Sequence, residues 1–161
     1  MRIWRIATQN GEYPADDLSG REALAGNGRW NHPGHPVVYC ADSPALACVE
    51  ILVHLEPASI ALPRCLVAID LPEPLWQARR RFAADDLPPG WDAPDAGDAS
   101  RDFGTQWLRS GESALLALPS AVVPESSVVL LNPRHPDAAQ AGADVIRHWT
   151  FDARLLFPAA G

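Results

Sequence analysis

The chain contains no lysine: all of its 13 basic residues are arginine, set against 20 Asp and Glu for a formal net charge of −7. An acidic chain without a basic stripe is not built to hold a nucleic acid, so direct nucleic-acid binding is not expected. The lysine deficit itself goes with a compositional bias, since alanine and proline are abundant. A few converging arginines can still bind a small anion locally. Cysteine is scarce. Cys40, Cys48 and Cys65 are odd in number and form no C-x-x-C pair, as expected of reduced thiols in a cytosolic protein. His32, His35, Cys40 and Cys48 match no familiar metal-ligand spacing, so no metal is expected. Long apolar runs are missing, which argues against a membrane span. The opening Met1-Arg2-Ile3-Trp4-Arg5-Ile6 is too short and too charged for a signal peptide. The expected location is therefore cytoplasmic. There is no P-loop, no G-x-G-x-x-G following a strand and no G-x-S-x-G, which leaves Walker, Rossmann and serine-hydrolase readings without support.

What is present is an ordinary globular mix, 47% apolar and 20% charged, in 161 residues. That length suits one domain, 1–161, with a sizeable core. Residues 2–7 alternate as a strand, and 37–41 (VVYCA) read as a second. A glycine-punctuated loop lies between them, with room for a helical turn near Glu22–Ala25. Asp42-Ser43-Pro44 supplies a cap and a first-turn proline for a helix. That helix, ALACVEILVHL, is apolar nearly all round and is expected to be buried, ending before Pro57. Residues 65–71 read as a strand, and 75–82 as a helix whose Arg79-Arg80-Arg81 face is solvated. Residues 83–98, rich in Asp, Pro and Gly, read as an exposed acidic loop that is either functional or mobile. A helix over 101–109 ends at Gly111. Strands follow at 114–118, 120–123 and 128–131, and one or two close the chain within 145–157. Strands and helices mix without regular β-α-β alternation, which is α+β.

Two segments carry the chemistry. In Gly28-Arg29-Trp30-Asn31, glycine permits unusual backbone angles or close approach, Arg29 offers a planar donor fork suited to a phosphate, and Trp30 a flat face for a base or pyridinium ring. An arginine in such a loop is equally a surface residue or a structural ion pair. Glu50 lies among apolar helical neighbours, where a carboxylate is desolvated unless paired. It either marks the solvated helix edge with His54, pairs with a core arginine, or stands in a cleft facing a reacting sugar. Tyr39 faces a cleft or is a half-buried core tyrosine. Ser120, between Pro119 and Ala121, either bonds locally to backbone at a bend or joins the site.

Taken in order, Trp4-Arg5, Gly28-Arg29-Trp30-Asn31, Val38-Tyr39-Cys40-Ala41, Ala47-Cys48-Val49-Glu50, Pro119-Ser120-Ala121-Val122-Val123-Pro124 and Leu131-Asn132-Pro133 resemble the RES domain, over about residues 2 to 136. The family is named for an Arg, a Glu and a Ser, matched here by Arg29, Glu50 and Ser120. The resemblance implies an ADP-ribosyltransferase-like fold: a split, twisted β-sheet with flanking helices and an NAD-binding cleft between the halves. It implies a toxin of a bacterial toxin–antitoxin module that uses NAD⁺ as substrate, without a metal. Its implied partner is an Xre-like antitoxin that covers the active site. It implies Glu50, Arg29, Tyr39 and Ser120 as catalytic residues, and Arg29, Trp30, Asn31 and Tyr39 as the NAD-binding set. The expected reaction cleaves the nicotinamide–ribose bond and transfers ADP-ribose to a host protein acceptor. The alternatives are hydrolysis or phosphorolysis that depletes NAD⁺, and a non-catalytic nucleotide-binding or protein-interaction domain.

Overall fold

A computed structural model describes residues 1–26 and 28–156. Among these residues seven strands form one sheet, and all but the short β4 are segments whose side chains alternate or run continuously apolar. They are β1 (Arg2–Thr8), β2 (Val38–Ala41), β3 (Arg64–Asp70), β4 (Arg80–Arg81), β5 (Leu115–Pro119), β6 (Ser127–Leu131) and β7 (Gly142–Trp149). Their order across the sheet is β4-β5-β6-β2-β1-β3-β7. Every pairing is antiparallel except β4 with β5. The helices are α1 (Pro44–Leu52), α2 (Glu73–Gln77), α3 (Asp98–Ser110) and α4 (Ala153–Leu156).

Both outer pairings are long. β1 is registered with β3 from Arg2↔Asp70 to Thr8↔Arg64, and β2 with β6 from Val38↔Leu131 to Ala41↔Val128. Between β1 and β2 the ladder shrinks to one pair, Trp4↔Ala41. Continuing that antiparallel register would set Arg5 against Cys40 and Ile6 against Tyr39, but those positions splay apart. The sheet is thus split into halves, β4-β5-β6-β2 and β1-β3-β7, hinged at Trp4 and Ala41. Backbone left without a ladder partner at a seam is a natural wall for a polar ligand.

Two apolar layers flank the sheet. One face buries Ile3, Val38, Val67, Ile69, Leu115 and Val129 with Leu75 of α2. The other buries Ile6, Leu116, Leu118 and Leu130 under Leu46 and Ala47 of α1 and Trp107 and Leu108 of α3. The alternation of strand side chains puts successive residues into opposite layers. α3 docks closely because Gly104 lies against the backbone of Trp30: a Cβ there would stand 2.0 Å from the Trp30 carbonyl oxygen.

Several expectations need correction. The helix starting at Pro44 is capped by the Ser43 side chain, which accepts from the Leu46 N–H at 3.2 Å. It stops at Leu52, however, and is not buried all round: Val53 is 53% exposed, and Leu46, Ala47 and Cys48 are its buried residues. The arginine triplet is not a helix face. α2 ends at Gln77, Arg80 and Arg81 form the edge strand β4, and Arg79 stacks on Trp76 with its guanidinium 3.9 Å from the ring centroid. Residues 120–123 turn instead of forming a strand, because the Ser120 hydroxyl accepts from the N–H groups of Val122 and Val123. The chain closes with one strand and the short helix α4, while the expectation at Phe157 falls outside the described residues. Among the described residues no helix is long and apolar enough to cross a membrane.

Candidate active site

The splayed seam opens into a cavity of about 460 Å³, within the range of small-molecule sites. Arg29 and Glu50 both line it, as do Tyr39 and Trp30. A second cavity of about 280 Å³ adjoins it, and Arg5, Glu22, Gly28 and Tyr39 line both.

Glu50 is carried by α1, His54 lies two residues past the end of that helix, and both line the cavity. Its partner is neither a core arginine nor bulk water alone. The Ser120 hydroxyl donates to Glu50 Oε1 at 2.6 Å, a short charge-assisted bond. Ser120 is fully buried and accepts from the Val122 and Val123 N–H groups, each at 3.0 Å. The β5–β6 turn therefore fixes the hydroxyl, and the hydroxyl fixes the carboxylate. Ser120 stands behind Glu50 and orients it.

Arg29 crosses to the acidic segment. Its Nη1 donates to the carbonyls of Trp91 at 2.6 Å and Ala93 at 2.8 Å, and its Nη2 to that of Pro94 at 3.3 Å. A guanidinium has five N–H donors, so two remain for a ligand. The segment expected to be an exposed loop is accordingly a strap. Leu87 and Trp91 are buried beneath it, and Pro94, Asp95 and Ala96 form part of the cavity wall.

Trp30 and Asn31 hold this loop together. Trp30 is only 2% exposed, its ring stacked on Trp91 (centroids 6.2 Å apart, planes at 23°) and met edge-on by Phe103. It borders the cavity with little free face. Asn31 is wholly buried and lines the smaller cavity. Its amide nitrogen lies 3.1–3.4 Å from the carbonyl oxygens of Ala23, Gly26, His32 and His35 and donates among them. Its carbonyl oxygen accepts from the Tyr39 hydroxyl at 2.7 Å, which in turn accepts from the Trp30 N–H at 3.0 Å. Gly28 is required by space: a Cβ there would meet the Tyr39 hydroxyl at 2.2 Å. Burial pushes the Tyr39 phenol well above its usual range, against the opposing Trp30 N–H bond and the positive fields of Arg29 and Arg101. Tyr39 is thus a neutral donor at the seam. Burial likewise pushes the Cys40 thiol up to about 12, so it is inert at neutral pH.

Three residues at the site were not singled out as site candidates from the sequence. Arg5, on β1, is 9% exposed, pairs with Glu22, and keeps a buried Nε with no hydrogen-bond partner among the described residues. A signal was present: Arg5 alternates with Ile3 and Ala7, both essentially inaccessible. Arg101 reaches the cavity from α3 and also has a buried Nε without a partner among the described residues. Asp95 comes from the strap.

A split α+β sheet, with guanidinium groups and an oriented carboxylate lining the same seam cavity, defines the class: a mixed-sheet domain with a charged cleft at the split. The RES domain matches residues 2–154, extending the resemblance past residue 136 to β7 and into α4. The chain is 46% identical to a Prs ADP-ribosylating toxin of Sphingobium sp. (strain YBL2), over 96% of each protein. It is 39% identical to Toxin Res of Pseudomonas putida (strain KT2440), over 97% of this chain and 100% of that protein. Its fold is similar to a chain in the crystal structure of the M. tuberculosis MbcT-MbcA toxin-antitoxin complex, with a TM-score of 0.67, 18% identity, and coverage of 91% and 84% of the two chains. The chain belongs to the RES domain family.

Proposed function

We propose that this protein is the toxin of a bacterial toxin–antitoxin pair and acts on NAD⁺, breaking the nicotinamide–ribose bond and transferring ADP-ribose to a host protein. The observation that carries the reading is the larger cavity at the seam, lined both by Arg29 and by a Glu50 that Ser120 orients. The residues suit the ligand: arginines with free donors for a diphosphate, apolar walls at Ile6, Ile51 and Val128, and a carboxylate for a sugar.

The bond from ribose C1′ to the pyridinium nitrogen breaks with its electron pair leaving on nicotinamide, which departs neutral and needs no general acid. Positive charge then grows on the ribose. Glu50 stabilises that charge and holds a ribose hydroxyl, Arg29 holds a phosphate, and Tyr39 packs the nicotinamide or ribose. The acceptor side chain forms the new bond to C1′ and releases its proton to water. Transfer is preferred to hydrolysis or phosphorolysis because the Sphingobium relative is named for ADP-ribosylation, and the protein that name carries, Prs, is the first acceptor to test. An Xre-like antitoxin covering the cleft would silence the protein in the cytoplasm, a reading supported by the toxin–antitoxin complex among its structural relatives.

Purified protein incubated with NAD⁺, with and without cell extract, separates the routes. Transfer releases nicotinamide and leaves protein-bound ADP-ribose in equal amounts when extract is present. Nicotinamide release without adducts would replace transfer by hydrolysis or phosphorolysis, and no release in any condition would reject the enzymatic reading.

A further inference from the structure

The sheet ends in two unequal edges. At one, β4 is two residues long, and Arg80 there is paired with Glu112 at 3.3 Å. At the other, β7 runs for eight residues without a proline or a lysine. Among the described residues its backbone pairs only with β3, and no strand lies along its outer side. Val145 and Ile146 at its middle are 46% and 47% exposed. A long open edge with apolar residues at its centre is a template for a further strand. No residue of β7 lines the larger cavity, so this edge is separate from the candidate active site. Charges and bulges on an edge ordinarily discourage pairing, and β7 has both. Leu66 faces Arg147 and Val67 faces Val145, so Ile146 is the extra residue of a bulge, flanked by Asp144 and Arg147. Their placement makes the edge self-complementary.

Pairs in a regular antiparallel ladder alternate between hydrogen-bonded and open kinds. A two-fold axis maps each pair onto one of the same kind, so two regular copies of a strand meet with a residue facing its own image. The bulge changes that parity. With Val145 and Ile146 counting as one position, Asp144 of one copy falls opposite Arg147 of the other. The faces agree as well, because Asp144 and Arg147 lie opposite Ala68 and Leu66, which point to the same side of β3. The Arg147 guanidinium is held on that side by Trp149, 4.5 Å from the ring centroid. We propose that β7 pairs antiparallel with β7 of a second copy of this chain, the two bulges meeting on a two-fold axis and Asp144 of each copy facing Arg147 of the other. Val145 and Ile146 of both copies form the apolar centre, an ion pair stands on either side, and the two sheets continue as one. The contact is isologous, the usual form of a homodimer. It does not depend on the NAD⁺ reading.

Sedimentation equilibrium of the full chain, from about 1 μM to about 1 mM, tests it. The wild type should pass from monomer to dimer within that range. Asp144→Arg and Arg147→Asp should each raise the dissociation constant by about tenfold or more, since two attractive pairs become two like-charge pairs. An equimolar mixture of the two variants should recover dimerisation, because every cross-strand pair is then opposite in sign. The double exchange Asp144→Arg, Arg147→Asp should dimerise like the parent. Both side chains are exposed, so thermal melts of the variants should match the parent. If one single variant does not fold, the other and the double exchange decide. A wild type that stays monomeric throughout, a dimer indifferent to either reversal, or single variants that do not recover on mixing overturns the proposal.

Discussion

At the scale of single residues, the site is a chain of dependencies that end on one carboxylate. Ser120 has two jobs: its oxygen accepts from the turn, and its hydrogen goes to Glu50. Ser120→Ala should lower the turnover of NAD⁺ by on the order of 10–100-fold, the scale expected for slight misplacement of a reacting group, with little change in the affinity for ADP. Steady-state kinetics beside ADP titration would show it, and equal losses in both would make Ser120 a folding residue only. Tyr39 makes a second prediction. Its phenol is raised in the folded protein from about 10, so the folded state holds the proton more tightly than the unfolded chain. That stabilisation is fully present below pH 10 and is lost as pH climbs through 10 towards the higher folded value. Urea unfolding at pH 8, 9.5 and 10.5 should show the wild type losing more stability over this window than Tyr39→Phe. Cys40 shifts in the same direction in both proteins and cancels in the comparison. Identical slopes would contradict the burial of a neutral phenol at the seam.

At the scale of elements, what the sequence made legible followed local rules. The strands at 2–8, 38–41 and 64–70 announce themselves by apolar alternation or runs, and the helices by Ser43-Pro44 and Gly111, whose φ of 60° is the left-handed terminator expected of glycine. Glu50 and Arg29 were legible as odd residues in their surroundings. The strap was not, because its order comes from three backbone carbonyls meeting an arginine more than sixty residues away and from Trp91 stacking on Trp30. No local pattern encodes such contacts. The same holds for β4, a two-residue strand that exists by parallel pairing with β5, and for Arg5, whose neighbours are brought by the splayed seam. Gly104 carries a test at this scale. An added methyl would press on the Trp30 carbonyl from within α3, where backbone cannot yield cheaply. Gly104→Ala should cost about 3 kcal/mol, the upper end of overpacking, despite its better helix propensity. A thermal midpoint equal to or above that of the parent would refute this packing.

At the scale of the whole molecule, the fold supplies a hinge and two walls. The halves of the sheet meet at Trp4 and Ala41 and part beside Arg5 and Tyr39, so one side of the opening carries β1 and the other β2, with α1 packed against both. Arginines reach the opening from β1, the Gly28 loop and α3, and carboxylates from α1, from Glu22 and from the strap, so no single element contains the site. That arrangement sets guanidinium groups beside carboxylates around one opening. It also leaves the mouth open for a covering partner. The central claim is that Glu50, facing the arginine-lined cavity, carries the chemistry on NAD⁺. The most direct measurement is nicotinamide release from NAD⁺ by purified parent and Glu50→Gln protein, both confirmed folded by matching thermal melts. The charge is removed and the shape kept, so release should fall on the order of 100-fold or more, with NAD⁺ still bound. A Glu50→Gln protein that releases nicotinamide at the parent rate would contradict the assignment.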